Sequence, residues 1–209
     1  MNYKKNGVWY SATGFVVGTN KILTSAHCMF DTALNYSASN VTVNVYENDS
    51  STPNIYSAVN YHIPQNYYDA PNYTSDCDYA IITVDYDFPS SYFMKLGVAR
   101  DSLKNNTCSS VYNNIYDNNG IERLCIYLTG RWTQMWTEEG YFISEIMTDD
   151  VCYYNPIGHG GQSGSPVYVK TEDENKTVFG IVSGGTQELS VCKRIGTDIL
   201  HFVYNNPNL

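Results

Sequence analysis

The segment GHGGQSGSPVY at residues 158–168 contains four glycines, two serines and one proline in eleven positions. Glycine and proline disfavour the interior of a helix, and so few side chains cannot fill the core face of a strand. Glycine does allow backbone conformations that turn N–H groups outward beside a small side chain. The central Ser163 is therefore a candidate functional residue, and the rest of the chain has to supply its partners.

The composition indicates a mostly β protein. The chain has 209 residues, enough to bury a sizeable core, and its 20 tyrosines far outnumber its 7 phenylalanines. Short runs rich in β-branched and aromatic residues are bounded by Gly, Asn, Asp, Pro or Ser; they lie at 14–18, 21–26, 40–46, 79–86, 123–130, 140–147, 165–170 and 178–185. Many short strands at such spacing predict a sandwich or a barrel.

Two other segments complete the outline. A C-terminal helix is predicted in GTDILHFVYNN, with Thr197 as its cap and with an apolar stripe that packs on the last strand. The stripe consists of Ile199, Leu200, Phe202 and Val203. The stretch between residues 86 and 122 mixes Pro, Ser and Asn without a clear period. We interpret it as the crossover between two halves.

Charge and hydropathy exclude several kinds of partner. The net charge is −9, from 12 Lys and Arg against 21 Asp and Glu, and no basic cluster is present. Binding to nucleic acid or to an anionic membrane is therefore not expected. No apolar run is long enough to span a bilayer, and no signal peptide is visible in this sequence.

The six cysteines are scattered and include no CxxC pair. This pattern argues against a zinc ribbon or a redox motif and favours disulfide bonds. We therefore expect an extracellular, secreted protein.

Two further residues could assist Ser163. Among four histidines, His27 follows a predicted strand directly in LTSAHC, where its imidazole would be reachable. Asp78 lies at the mouth of the apolar strand in DCDYAIITV, where a buried carboxylate needs a partner. Asp76 and Asp85 compete with Asp78 for this role. Each of these residues taken alone also fits an ordinary structural position.

Taken together, the blocks LTSAHC, DYAIITV and GGQSGSPV, in the order His, Asp, Ser, resemble the three catalytic blocks of chymotrypsin-like (trypsin-like) serine proteases. GQSGSP, MWTEEG at 135–140 and GIVSGGT at 180–186 resemble the glutamyl endopeptidase-like branch. The resemblance spans about residues 8 to 203. It implies two six-stranded antiparallel β-barrels: residues 1–95 carry His27 and Asp78, and residues 96–209 carry Ser163 and the terminal helix.

The resemblance also implies roles for individual residues. His27 is the general base and acid, Asp78 orients it, and Ser163 is the nucleophile. The N–H groups of Gly161 and Ser163 form the oxyanion hole, and the substrate backbone lies on Ser183, Gly184 and Gly185. The expected activity is that of a serine endopeptidase acting on peptides or proteins, with no metal and no cofactor, as a monomer.

The specificity pocket departs from the glutamyl pattern. Val182 stands where that branch has a histidine, and Gly158 stands where it usually has threonine. Gly158, Gly185 and Ile157 favour an open, apolar pocket, whereas His159 and Arg194 supply positive charge near its rim or back. The pocket could therefore bind either an acidic or an apolar side chain of the substrate.

Two other features stay open. Bridges are possible between Cys28 and Cys77, Cys152 and Cys192, and Cys108 and Cys125, with a zinc site at the first pair as the less favoured alternative. The chain begins about one strand later than the relatives do. Either a leader and first strand are missing from this version of the chain, or the first barrel is closed differently. An incompletely closed first barrel would misplace His27, and the alternative function is then that of a weak or inactive protease-fold binding protein. The tyrosines also suggest a ligand-binding β domain, which no motif supports.

Overall fold

We analysed a computed structural model of the chain. It describes residues 1–45, 52–70, 75–98, 107–116, 122–124, 134–143, 146, 148–155, 160–170, 176–185 and 188–205. Of residues 107–116, 122–124, 134–141 and 170, only the backbone is described. Ile157, Gly158 and His159 of the predicted pocket lie outside these ranges, as does Cys125, and the side chain of Cys108 is also not described.

The N-terminal part of the chain forms one seven-stranded sheet and a small two-stranded one. The strands are β1 (Asn2–Lys5), β2 (Val8–Ser11), β3 (Phe15–Gly18), β4 (Lys21–Thr24), β5 (Phe30–Asp31), β6 (Tyr36–Ser37), β7 (Ser39–Val45), β8 (Asn54–His62) and β9 (Ala80–Val84). The larger sheet has the order β2-β1-β7-β8-β9-β4-β3, and β5 pairs with β6. All these pairs are antiparallel.

The C-terminal part forms an eight-stranded sheet. Its strands are β10 (Lys95–Leu96), β11 (Thr107–Tyr116), β12 (Glu122–Leu124), β13 (Gln134–Tyr141), β14 (Val151–Tyr154), β15 (Pro166–Lys170), β16 (Lys176–Gly185) and β17 (Ser190–Arg194). The main order is β12-β11-β15-β16-β17-β14, with β13 paired to β11 and β10 parallel to β16. The fold is thus the mostly β, chymotrypsin-like one expected. Within the described residues the two large sheets have seven and eight strands, whereas six strands were expected in each.

Three helices complete the described structure: α1 (Ala26–Met29), α2 (Gln65–Asp69) and α3 (Thr197–Tyr204). Short 3₁₀ turns occur at Ser75–Cys77 and Ser90–Tyr92. In the described part of the chain, no helix is both long and apolar enough to cross a bilayer.

The first hairpin explains the extra N-terminal strand. Asn6 and Gly7 connect β1 to β2 with φ values of 45° and 82°, and Lys5 pairs with Val8 across the turn. Two residues with positive φ match the twist of the flanking strands, which is why Asn-Gly is favoured in such turns. β1 then lies between β2 and β7. The first sheet therefore has an N-terminal strand where the sequence suggested that one was missing.

The stretch between residues 86 and 122, interpreted as the crossover, runs from β9 of the first large sheet to the strands of the second. It also contains β10 and the ten-residue β11, which the sequence did not predict as strands. β11 has many Ser and Asn residues, but its backbone pairs with β12, β13 and β15. Pairing with three strands overrides its low intrinsic strand propensity. The predicted strand at 140–147 shares residues 140 and 141 with β13, and its residues 144, 145 and 147 lie outside the described ranges.

The terminal helix begins as predicted, but it is not capped by Thr197. Gly196 is the N-cap, and no side chain caps the helix. Asp198 in the first turn instead contacts Lys193, whose buried ammonium lies 3.1 Å from Asp198 and 2.7 Å from Asp150. Ile199 and Val203 pack into an apolar cluster that contains residues of both large sheets. The helix therefore packs against a core formed by both large sheets, and not only against the last strand as predicted.

Candidate active site

Strand pairing brings His27 and Asp78 to the same edge of the first sheet. β4 and β9 are antiparallel neighbours, with Thr24 opposite Ala80. His27 follows the end of β4 and Asp78 precedes the start of β9, so the two residues lie side by side. Asp78 Oδ2 accepts a hydrogen bond from His27 Nδ1 at 2.8 Å, and Oδ1 accepts one from the His27 backbone N–H at 2.8 Å.

The buried carboxylate of Asp78 has several partners. Its side chain is fully buried, which would be costly for an unpaired charge. Ser183 Oγ donates a third hydrogen bond to it, at 2.5 Å, from β16 of the second sheet. Of the two competitors, Asp85 instead accepts from the Ser57 N–H at 3.0 Å. Asp76 lies in the 3₁₀ turn at Ser75–Cys77.

Ser163 Oγ lies 2.9 Å from His27 Nε2. The loop that presents it is fixed by backbone hydrogen bonds: Thr13 N–H donates to the Ser163 carbonyl at 2.9 Å, and Gly164 N–H donates to the Val182 carbonyl at 2.8 Å. Thr13 Oγ1 also donates to the Gly161 carbonyl at 2.9 Å. Hydrogen bonds therefore hold the glycine-rich loop to both sheets.

Glycine is required at two positions of this loop. Gly161 and Gly164 have φ values of 95° and 83°, a region that residues with a Cβ rarely adopt. At Gly164 a Cβ would also collide with Thr24 Oγ1 and with the Thr13 carbonyl. Within the described part of the chain, the N–H groups of Gly161 and Ser163 have no acceptor, whereas their carbonyls do. Both N–H groups can therefore serve an external oxyanion.

Burial and charge act in opposite directions on the pKa of His27. Burial lowers it, since the charged imidazolium loses water. The negative charge of Asp78 raises it, and the nearby Cys28 and the hydrogen bond that His27 donates to Asp78 add to this effect. The net result is a pKa well above the ordinary 6.5. Asp78 thus stabilises the protonated imidazolium of His27. A histidine that acts as a general base adopts this form after it takes up a proton.

The structure places the remaining predicted pocket residues on β16 and β17. Val182 packs in an apolar cluster with Phe142, Tyr154, Val167, Cys152 and Cys192. Gly184 is half-buried and Gly185 is exposed at the end of β16. Arg194 is 7% exposed, and its guanidinium donates to the Thr148 carbonyl.

The cysteines follow the predicted pairing in part. Cys152 and Cys192 form a disulfide. They face each other on the paired strands β14 and β17. The Cys28–Cys77 bridge is wrong, because both side chains are buried and neither forms a disulfide. Cys77 Sγ instead contacts the Asn66 carbonyl. No group of three metal-ligating side chains occurs within the described ranges.

Sequence reasoning missed three supporting residues. Thr13 holds the serine loop, Ser25 Oγ donates to the Val182 carbonyl at 2.6 Å, and Lys5 Nζ donates to the His27 carbonyl at 2.9 Å. Ser183 was expected to contact substrate backbone, and its contact with Asp78 was not foreseen. The Asn-Gly turn in KKNGVW was the one local signal that could have located β1, on which Lys5 lies.

The two β-sheets, with serine, histidine and aspartate aligned where they meet, define a protein of the serine protease class. The family model for trypsin matches residues 1–206, and the chain belongs to the trypsin family. A solved Glu endopeptidase in complex with MPD has the same fold, with a TM-score of 0.77 and 19% identity over 100% of this chain and 90% of that one. A thermostable serine protease from an extremophilic microorganism gives a TM-score of 0.70 and 13% identity, over 98% and 93% of the two chains. No curated protein sequence matches the chain.

Proposed function

We propose that the protein is a serine endopeptidase that uses Ser163, His27 and Asp78. The alignment of Ser163 Oγ, His27 Nε2 and Asp78 Oδ2 through hydrogen bonds of 2.9 Å and 2.8 Å carries this proposal. The acceptor-free N–H groups of Gly161 and Ser163 support an oxyanion hole. The trypsin family membership supports a protease activity in general.

The reaction follows from these positions. Ser163 Oγ attacks the substrate carbonyl carbon while its proton passes to His27 Nε2. The oxyanion forms against the N–H groups of Gly161 and Ser163. The C–N bond then breaks, and His27 returns the proton to the leaving amine. In deacylation, His27 takes a proton from water while the water oxygen attacks the acyl carbon. The bond between the acyl carbon and Ser163 Oγ then breaks, His27 returns the proton to Ser163 Oγ, and the carboxylic acid product leaves.

The pocket is proposed to select apolar side chains over glutamate. Val182 is 2% exposed and lies among Phe142 and Tyr154, so it brings no charge to this wall. The Arg194 guanidinium is bound to the Thr148 carbonyl. Sequencing the cleavage products of a peptide library tests this choice. Cleavage confined to bonds that follow glutamate would contradict it.

The remaining parts of the proposal concern the setting of the activity. The halves 1–95 and 96–209 are proposed to act together as one peptidase domain, since the three side chains come from both. The Cys152–Cys192 disulfide supports a secreted enzyme. We further propose that it acts as a monomer on peptides or proteins. A non-catalytic binding protein is not favoured, because β1 is present and His27 lies within hydrogen-bond distance of Ser163.

A fluorophosphonate probe tests the proposal directly. Attack by Ser163 Oγ displaces fluoride and leaves a stable phosphonyl ester, so the protein should be labelled with one probe per chain. Ser163→Ala should abolish labelling, whereas Ser37→Ala, which alters an exposed serine on β6, should not. Labelling that survives Ser163→Ala, or a folded wild-type protein that is not labelled, would refute the assignment.

A further inference from the structure

Lys5 has an unusual environment for a lysine. Its side chain is only 15% exposed, and its ammonium lies 2.9 Å from the His27 carbonyl oxygen. The ammonium also lies 6.0 Å and 5.6 Å from the ring centres of Tyr3 and Tyr10, and 3.8 Å from Asp31 Oδ2. Two aromatic rings, a carboxylate and a carbonyl therefore hold one cation behind the histidine.

Tyr3 lies two positions before Lys5 on β1, so the two side chains are on the same face of the strand. Tyr3 is 5% exposed and belongs to the same apolar cluster as Cys28, the residue that follows His27 in α1. Its ring centre lies 6.0 Å from the Lys5 ammonium. β1 thus meets α1 through the Lys5 bond to the His27 carbonyl and through the apolar cluster that Tyr3 shares with Cys28.

The turn that carries His27 needs such support. α1 has only four residues, and a helix of one turn does not stabilise itself in isolation. Its N-cap residue, Ser25, makes no capping bond with its side chain, which donates instead to the Val182 carbonyl. The His27 carbonyl lies near the C-terminal end of this turn, where carbonyls lack helical partners and favour a cation.

We propose that Lys5 and Tyr3 are positioning residues that keep the His27 imidazole aligned with Ser163. This inference rests on the proposed function. Catalysis depends steeply on such alignment, since a displacement of about 1 Å can cost about 100-fold in rate. Neither side chain touches the reacting atoms: Lys5 acts through the His27 carbonyl, and Tyr3 acts through the Lys5 ammonium and the packing around Cys28. β1 is therefore a functional strand as well as a structural one.

The test compares Lys5→Met with Lys4→Met in the full chain. Both variants remove one charge from β1 and keep a similar length, but Lys4 is the adjacent residue and points to the other face of the strand. Fluorophosphonate inactivation is measured as kinact and KI on samples whose folded fraction is known from circular dichroism. For Lys5→Met we expect kinact to fall on the order of 10-fold with KI unchanged, because the loss of alignment is partial. Lys4→Met should match the wild type.

Two further variants sharpen the result. Lys5→Arg retains the cation and should restore most of kinact. Tyr3→Leu removes the ring that faces the Lys5 ammonium, so kinact should fall by a smaller factor, on the order of 3-fold. A purely structural role would lower the melting temperature without changing kinact per folded molecule.

The outcomes separate this inference from the proposed function. Lys5→Met with wild-type kinact and a lowered melting temperature would refute the positioning role while leaving the peptidase assignment intact. Absence of labelling in the wild-type protein would refute the assignment itself. If Lys5→Met does not fold, Lys5→Arg and Tyr3→Leu still test the inference, and wild-type kinact in Tyr3→Leu would refute the part assigned to the Tyr3 ring.

Discussion

Ser163 Oγ and His27 Nε2 lie 2.9 Å apart, yet the segments that carry them are held by different kinds of bond. The serine loop is held mainly through its backbone, by Thr13 and Val182. The histidine turn is held mainly by side chains, those of Asp78 and Lys5. Side-chain support can be removed one group at a time, whereas the serine loop is sensitive to any added Cβ. The two halves of the site should therefore respond differently to mutation.

The largest effect should come from removing the charge of Asp78 on the histidine side. In Asp78→Asn the amide cannot accept from both the backbone N–H and Nδ1, so the imidazole is no longer held in the tautomer that can deprotonate Ser163. We expect kinact to fall about 10,000-fold. Asp85→Asn is the matched control, because Asp85 is exposed at the other end of the same strand and binds Ser57. A loss smaller than about tenfold in Asp78→Asn would contradict the role of Asp78.

On the serine side, the corresponding experiment adds a single methyl group. Gly164→Ala should destabilise the protein by about 3 kcal/mol or more, because the residue has positive φ and its Cβ would collide with two neighbours. Gly7→Ala separates the two causes, since Gly7 has a φ of 82° but no atom within 4 Å of its Cβ position. We expect about 1 kcal/mol there. Equal losses in urea denaturation would show that the collision at Gly164 is unimportant.

This difference also explains which half of the site could be predicted from sequence. A loop held by backbone bonds needs glycines at fixed positions, and those are visible in GGQSGSPV. The three blocks around His27, Asp78 and Ser163 were therefore located, and strand pairing brought them together. Lys5 acts across 22 positions of sequence, and nothing local to LTSAHC indicates which distant side chain meets the His27 carbonyl.

The same reasoning applies to the fold. β3, β4, β9, β15 and β16 are apolar and β-branched, and the sequence predicted them close to their observed bounds. β11 was missed because its stability as a strand comes from pairing with β12, β13 and β15. β1 and β2 were missed although Asn6 and Gly7 form a recognisable hairpin turn between them. Exposed Val8, Trp9 and Tyr10 lack the alternation that marks a half-buried strand.

The smallest effect is one of pH, and it sharpens the comparison because only the histidine side titrates. His27 must be neutral to accept the Ser163 proton, and its pKa is well above 6.5. The rate of inactivation should therefore fall about tenfold per pH unit below a midpoint that lies above 6.5. In Asp78→Asn the charge that raises the pKa is gone while burial still lowers it, so the midpoint of any residual activity should move to lower pH.

Stability should change with pH in the opposite direction to activity. A group whose folded pKa is raised contributes stability that is fully present below its unfolded pKa and is lost as pH rises through the folded value. The His27–Asp78 pair should thus contribute most near pH 6 and progressively less above 6.5. Urea unfolding of Ser163→Ala, which avoids self-digestion, should show this decline, and the Ser163→Ala/Asp78→Asn variant should not. If the stability of both variants declines equally with pH, a group other than the His27–Asp78 pair is responsible for the decline. Activity, by contrast, should rise over the same pH range in which the ion pair loses its stabilising effect.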